Sequence, residues 1–333
     1  MTFKILTVGA LCASSAFAAP VSAQTQSTAE AIAALVWADN ITITMSDGSF
    51  QYQSDGIPDH ALPDQYVVPK DGNMPPFGGD GIDSFDVVDT QDWLQASSID
   101  VTIPTTPVVA ASNTDTPLGI IGVMVSGARL FNDYEDMQRQ SPAIDDNVIV
   151  GDAQFLDTCD GHALQSGMDY HYHGVPYCIT DVRDTADSHS TMIGVLMDGF
   201  PVYGRQGADG KIMTNEELDA CSGHIEATPE FPEGIYHYHL TSDAAPYSID
   251  CFHGEVDMTA LMKESPFAGG PGGQRPDFAA IASDLGVSEH DLVDALGASM
   301  PPNLQLAAKA LGISFETLLA AMPPPPNGGP APQ

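Results

Sequence analysis

Apolar and polar residues alternate along Ile41-Thr42-Ile43-Thr44-Met45, and Ser46-Asp47-Gly48 follows. That pattern predicts a strand closed by a tight turn. Upstream, Ser27 to Trp37 has the spacing of a short helix. Residues 54–90 are dense in Gly, Pro and Asp and carry no helical period, which predicts an irregular region punctuated by short strands. Further on, two apolar runs are each broken by a glycine turn. Ile121-Gly122-Val123-Met124-Val125-Ser126-Gly127-Ala128-Arg129-Leu130-Phe131 matches Ile193-Gly194-Val195-Leu196-Met197-Asp198-Gly199-Phe200-Pro201-Val202-Tyr203 at an offset of 72. Each run predicts a hairpin.

The match extends well beyond the hairpins. Cys159-Asp160-Gly161-His162 corresponds to Cys221-Ser222-Gly223-His224, and Tyr170-His171-Tyr172-His173 to Tyr236-His237-Tyr238-His239. Pro176-Tyr177-Cys178 and Pro246-Tyr247, with Cys251 shortly after, close the two series. Four blocks in one order predict a mainly β fold at about 118–254. It would comprise two copies of one β-rich module, about 118–178 and 191–251, packed about a pseudo-twofold axis.

A different repeat follows at 276–322, where Pro276 to Ser288 recurs at an offset of 26 as Pro302 to Ser314. Each unit reads as an apolar-periodic helix stopped by Gly, with Ser as the cap of a second helix, so a small α-helical repeat region is expected. The Gly- and Pro-rich stretch 266–275 reads as a linker and 323–333 as a disordered tail. These features predict an appended module separable from the β domain.

The chain of 333 residues carries 10 Lys and Arg against 45 Asp and Glu, a formal net charge of -35. Such a surface repels phosphate backbones and anionic headgroups, which argues against nucleic-acid and peripheral membrane binding and favours cations. Lys4, the apolar run Ile5 to Ala19 and Val21-Ser22-Ala23 read as a secretory signal at 1–23, ahead of an N-terminal segment at 24–40. The apolar run is too short to span a bilayer, so an exported protein, periplasmic or secreted, is expected, without membrane insertion. Cys12 departs with the signal. Cys159, Cys178, Cys221 and Cys251 then read as two disulfides, for which pairing within each copy, Cys159 to Cys178 and Cys221 to Cys251, closes each module's own loop.

In a strand, residues i and i+2 face the same way, so His171 and His173 share one face and Tyr170 and Tyr172 the other. His237 and His239 repeat the arrangement. Paired imidazoles of this kind reach one metal ion, with His162 and His224, held beside a cysteine, as natural third members. Zn, Cu, Ni and Fe all accept such ligands, with Cu or Zn the expected cofactor. The competing expectation is a metal-free network of Tyr and His hydrogen-bonded to carboxylates such as Asp198. Neutral imidazole is the ligand form, so metal affinity should fall below the ordinary His pKa of about 6.5.

With these residues in place, the chain from about Ile41 to Gly254 resembles the YHYH protein family, named for the Tyr-His-Tyr-His motif. Ser54-Asp55-Gly56-Ile57-Pro58-Asp59-His60 resembles an early family segment, and His189-Ser190 with Met197 to Gly204 resembles two others. The resemblance raises His60 and His189 to candidate site residues and implies no particular reaction. Three functions stand open: an exported protein that binds a transition metal; a metal-dependent enzyme with Asp198 or Asp160 as acid or base; and an interaction or structural module.

Overall fold

Ser27 starts the described chain and caps the first helix, α1 (Thr28–Ala34). Its hydroxyl accepts the Glu30 amide at 3.3 Å while the Glu30 carboxylate accepts the Ser27 amide at 2.8 Å. The structure, a computed structural model, describes residues 27–70, 77, 81–135, 139, 141–258, 261, 278–296 and 304–322. The signal at 1–23, the linker at 266–275 and the tail at 323–333 lie outside these residues.

Strands β1 (Thr42–Ser46) and β2 (Ser49–Ser54) form the first hairpin, turning at Gly48 with φ of 76°. Phe50, Tyr52 and Ser54 of β2 are buried and alternate with less buried residues. The Gly- and Pro-rich region contains β3 (Gln65–Pro69) and β4 (Phe85–Asp89), paired antiparallel, and then the single-turn helix α2 (Thr90–Trp93). β5 (Ile99–Pro104) returns to β2 and buries Ile99, Val101 and Ile103 on one face. β6 (Val109–Asp115) follows and is largely exposed.

Eight strands make up the largest sheet. β7 (Gly122–Met124) and β8 (Arg129–Leu130) are one hairpin, turned at Gly127. After β9 (Ile149–Val150) and β10 (Ala153–Gln154), which join β3, come β11 (Gly161–His162) and β12 (His171–Tyr172). The helix α3 (Tyr177–Arg183) leads to the second hairpin, β13 (Met192–Leu196) and β14 (Pro201–Tyr203), turned at Gly199. β15 (Gly223–Glu226) and β16 (Ile235–His239) follow, and β17 (Cys251–Gly254) pairs with β6. The order across the sheet is β11-β12-β8-β7-β13-β14-β16-β15. From either edge it reads as a short outer strand, a Tyr-His strand, then the second and first strands of a hairpin. β12 lies parallel to β8 and β16 parallel to β14, while β7 and β13 meet antiparallel in the middle. The fold is therefore mainly β, with its core along this sheet and on β2 and β5.

Disulfides join Cys159 to Cys178 and Cys221 to Cys251, with Cα separations of 5.4 and 4.8 Å. Each ties an outer turn of the sheet to a later element, α3 or β17. Their loops of 19 and 30 residues predict a loss of about 3 kcal/mol when either pair is replaced by Ser. Urea unfolding checks this, and a loss below about 1 kcal/mol for both pairs would contradict it.

Four more helices, α4 (Phe278–Leu285), α5 (Glu289–Leu296), α6 (Leu304–Leu311) and α7 (Phe315–Ala321), lie in the C-terminal region where helices were expected. Gly286 and Gly312 stop α4 and α6 with φ of 71° and 68°. Ser288 and Ser314 cap α5 and α7, accepting the amides of Asp291 and Thr317 at 3.0 and 3.1 Å. Ala282, Leu292, Leu296, Leu304, Ala307, Ala308 and Leu318 form a core of their own. A chain ending at Ser265 is accordingly expected to keep the melting temperature of the β sheet within about 2 °C. An insoluble truncated chain beside a soluble full-length one would refute that. Among the described residues no helix is long and apolar enough to cross a membrane.

Candidate metal centres

The register of the outer strands brings the histidines together. His162 stands opposite His171 across β11 and β12, and His224 opposite His237 across β15 and β16. Residues directly opposite in an antiparallel pair project from one face, so the imidazoles at i and i+2 gain a third from the neighbouring strand. The turn before each outer strand fixes its height. Asp160 and Ser222 adopt left-handed φ of 54° and 62°, and their carbonyls accept the amides of His173 and His239 at 2.8 and 2.9 Å. Only glycine fits at the next position, because a Cβ on Gly161 or Gly223 would run into the hydroxyl of Tyr170 or Tyr236.

The first centre consists of His162, His171, His173 and Glu135. The Glu135 Oε1 lies 2.8 Å from His162 Nε2, 3.6 Å from His171 Nε2 and in contact with His173 Nε2. Phe131 stacks on His171 with ring centroids 3.8 Å apart, and the three imidazoles are buried. The second centre consists of His189, His224, His237 and His239, of which His224 is half-buried and the others buried.

Five of these histidines have their tautomer set by the backbone. Nδ1 faces a carbonyl in His171 (Asp169, 2.6 Å), His173 (Asn132, 2.6 Å), His189 (Ser190, 2.8 Å), His237 (Ile235, 2.9 Å) and His239 (Gly204, 2.6 Å). A carbonyl only accepts, so each Nδ1 carries the proton and each Nε2 presents a lone pair. Asp169 is itself held, its carboxylate paired with the buried Arg129 at 3.0 Å. The Nε2 atoms converge: 3.4 Å separates His162 from His173, 3.3 Å His189 from His237, and 3.1 Å His237 from His239. Among the described residues, His171 Nε2 and His224 Nε2 are buried with no hydrogen-bond partner. Ligands at ~2.0–2.1 Å around a tetrahedral ion lie about 3.3–3.4 Å apart, close to these three separations between imidazoles.

Protons are poor substitutes in most of these positions. Burial pushes His171 and His237 down to about 3 and His239 well below its ordinary value, with the neighbouring imidazoles acting in the same direction. His224 is also lowered, chiefly by burial. His173 differs: burial disfavours its charged form, but the Glu135 carboxylate outweighs that and raises it. Glu135 responds in kind, held well below the carboxylate range because the charges of His162 and His173 overcome its burial.

The other face of the same strands carries a hydrogen-bond network. Tyr170 and Tyr66 donate to Asp157 at 2.7 and 2.5 Å, Tyr236 to Asp219 at 3.0 Å, and Tyr238 to Asp198 at 2.5 Å. Burial, reinforced by these carboxylates, raises all four phenols. The two expectations for the motif thus apply to opposite faces: the tyrosines form the carboxylate network and the histidines the convergent clusters.

Other sequence candidates lie elsewhere. His60 joins neither cluster. It sits on the tyrosine side, with Nε2 2.7 Å from the Tyr172 hydroxyl and Nδ1 3.6 Å from Cys159 Sγ. His60, Cys159 and Cys178 are close enough to share an ion, but the disulfide removes both thiolates. Asp198 is buried on the tyrosine side, accepting the amides of Phe200 and Gly254 at 3.2 and 2.9 Å, so it faces away from the imidazoles. Asp160 serves the cluster through its carbonyl, while burial pushes its carboxyl up to about 7. Sequence reasoning missed Glu135. The repeat conceals it, because the residue 72 positions on is Gly207, just as Pro117 stands 72 positions before His189. The first centre takes its fourth member from Glu135, which follows β8, and the second from His189, which precedes β13.

Two histidine-lined centres, one towards each edge of a single sheet, define the protein as a mainly β scaffold built around paired Tyr-His-Tyr-His strands. Residues 100–212 and 208–254 match the family model described as YHYH protein, and this part of the chain belongs to that family. The match begins inside β5, so the stretch from Ile41, which shares the resemblance by sequence, lies ahead of it. Neither a curated protein nor a solved structure matches the chain.

Proposed function

We propose that this is an exported protein that binds transition-metal ions, Cu or Zn, at its two histidine centres. His162, His171, His173 and Glu135 would hold one ion, and His189, His224, His237 and His239 the other. The observation carrying this reading is the set of Nδ1 protons committed to backbone carbonyls, which in the second centre leaves the lone pairs of His189, His237 and His239 converging at 3.1–3.3 Å with no proton to separate them. Bringing lone pairs together in a buried space is unfavourable unless a cation neutralises them. A full set of four protein ligands favours tight binding over activation of a water molecule, which needs an open position. The leader-like N-terminus and the two disulfides support an oxidising compartment outside the cytoplasm.

Elemental analysis of the protein purified from its native compartment tests the reading. Bound Cu or Zn is expected. Replacing His171 and His173 by Ala should remove the ion of one centre, and replacing His237 and His239 that of the other. Replacing Tyr170 and Tyr172 by Phe should leave metal content unchanged. A metal-free native protein whose melting is unaffected by Cu, Zn or a chelator would end the proposal.

A further inference from the structure

The two centres share a strand pattern but not a charge. Glu135, 14% exposed, supplies an anion to the first, whereas the four imidazoles of the second are neutral ligands. Among the described residues, the carboxylate within 4.0 Å of a histidine of the second centre is Glu226, whose Oε2 lies 3.8 Å from His189 Nε2. That oxygen already accepts the Ala208 amide at 2.9 Å, and the side chain is 31% exposed, so water screens its charge. In the sheet, β12 and β16 are five strand spacings apart, roughly 24 Å, so neither ion compensates the other's charge.

The cost of placing an ion in a low-dielectric site grows with the square of its net charge. With Glu135, a divalent ion leaves one uncompensated positive charge in the first centre; in the second it would leave two. A monovalent ion halves the residual charge of the second centre and removes that of the first. The second centre therefore penalises a dication relative to a monocation far more than the first does. Among metals that imidazole binds well, copper is the one with a stable monovalent form, and its filled d-shell imposes no geometry on the ligands. Resting on the metal-binding reading above, we infer that the centres sort metals by charge: the Glu135 centre selects a divalent ion such as Zn(II), and the four-histidine centre is a Cu(I) site.

The test loads metal-free full-length protein with one equivalent each of Zn(II) and Cu(I), the latter kept reduced by ascorbate under nitrogen, and measures both metals after desalting. Wild type is expected to retain both. Replacing His237 and His239 by Ala should remove copper and spare zinc, and replacing His171 and His173 should do the reverse. Glu135→Gln keeps the shape of the first centre while removing its charge, and should shift that centre's preference from Zn(II) towards Cu(I) by at least about tenfold. His224→Gln offers a milder change at the second centre and should lower copper retention alone. Loss of both metals with the same histidine pair in a cooperatively melting variant, zinc in both centres, or an unchanged preference in Glu135→Gln would overturn the inference while leaving metal binding intact. Failure of folded wild type to retain either metal would overturn the inference and the metal-binding reading together.

Discussion

Stripping metal from the loaded full-length protein is expected to lower its melting temperature by roughly 10 °C for each centre emptied. An ion held at a thousandfold excess over its Kd contributes about 4 kcal/mol to the folded state, and for a domain of this size each kcal/mol moves the transition by about 2–4 °C. Pairwise His→Ala variants should each lose one share of that response. The tyrosine variants supply the contrast. Replacing Tyr170 and Tyr172 by Phe breaks hydrogen bonds to Asp157, Ser126 and His60 and should cost about 1–3 kcal/mol for each buried group left unpaired. That cost falls on metal-free and metal-loaded protein alike. Scanning calorimetry with and without a chelator separates the two patterns, and a chelator effect equal in wild type and in both histidine variants would contradict ligation by these pairs.

Acid should release the two ions at different pH values. At pH 5 an ordinary imidazole is about thirtyfold more often protonated than neutral, so a site of several such ligands would lose its ion. The sequence alone places that loss below about 6.5, but burial moves it. His237 is pushed down to about 3, and His239 and His224 are also lowered, chiefly by burial, so protons compete weakly for the second centre. The first centre meets competition earlier, since His173 is raised by Glu135 in the metal-free state. Affinity of the second centre at pH 5 is therefore expected within about tenfold of its value at pH 7.5, while the first weakens further. Competition with a chromophoric chelator at both pH values measures this, and a fall beyond about a thousandfold at the second centre would contradict it.

Stability of the metal-free protein is a less direct reporter of the same chemistry. Histidines with depressed values, such as His171 and His237, contribute stability that is complete above the unfolded value near 6.5. It is lost as pH falls towards 3, at roughly 1.4 kcal/mol per unit for each. Asp133 and Asp160, pushed up to about 7 chiefly by burial, act in the opposite sense. Their contribution is complete below the unfolded carboxyl value near 3.9 and is lost as pH rises through 7. The two sets offset one another between about pH 4 and 7.

How much was legible beforehand depended on the range of each interaction. The alternation of Tyr and His was local, and period two alone placed His171 with His173 and Tyr170 with Tyr172 on opposite faces, as the structure has them. The caps at Ser288 and Ser314 and the glycine stops at Gly286 and Gly312 were readable for the same reason. The match between Cys159–His162 and Cys221–His224 led to the third histidine of each set. What stayed hidden was tertiary. Nothing in the sequence near Glu135 marks it as the residue that reaches His162 and His173, and no pattern tells which side of β12 the loop carrying His60 will meet. The carbonyls that set the imidazole tautomers were equally hidden, because a backbone acceptor such as Asn132 or Gly204 leaves no trace in side-chain identity.

The outer strands of the large sheet have a consequence for how copies of the protein coexist. A strand edge with free amides and carbonyls is a template on which another chain can pair, and wide sheets with long edges tend to associate. Here eight strands end in β11, only two residues long, and β15, four residues long. At β15 the exposed Ile225 is followed directly by the charged Glu226. Few ladder positions are left for an intruding strand, and disulfides hold the turns that precede both edges. The Tyr-His-Tyr-His strands β12 and β16 are thereby set one place inward, so a second copy meets only short borders on which to pair.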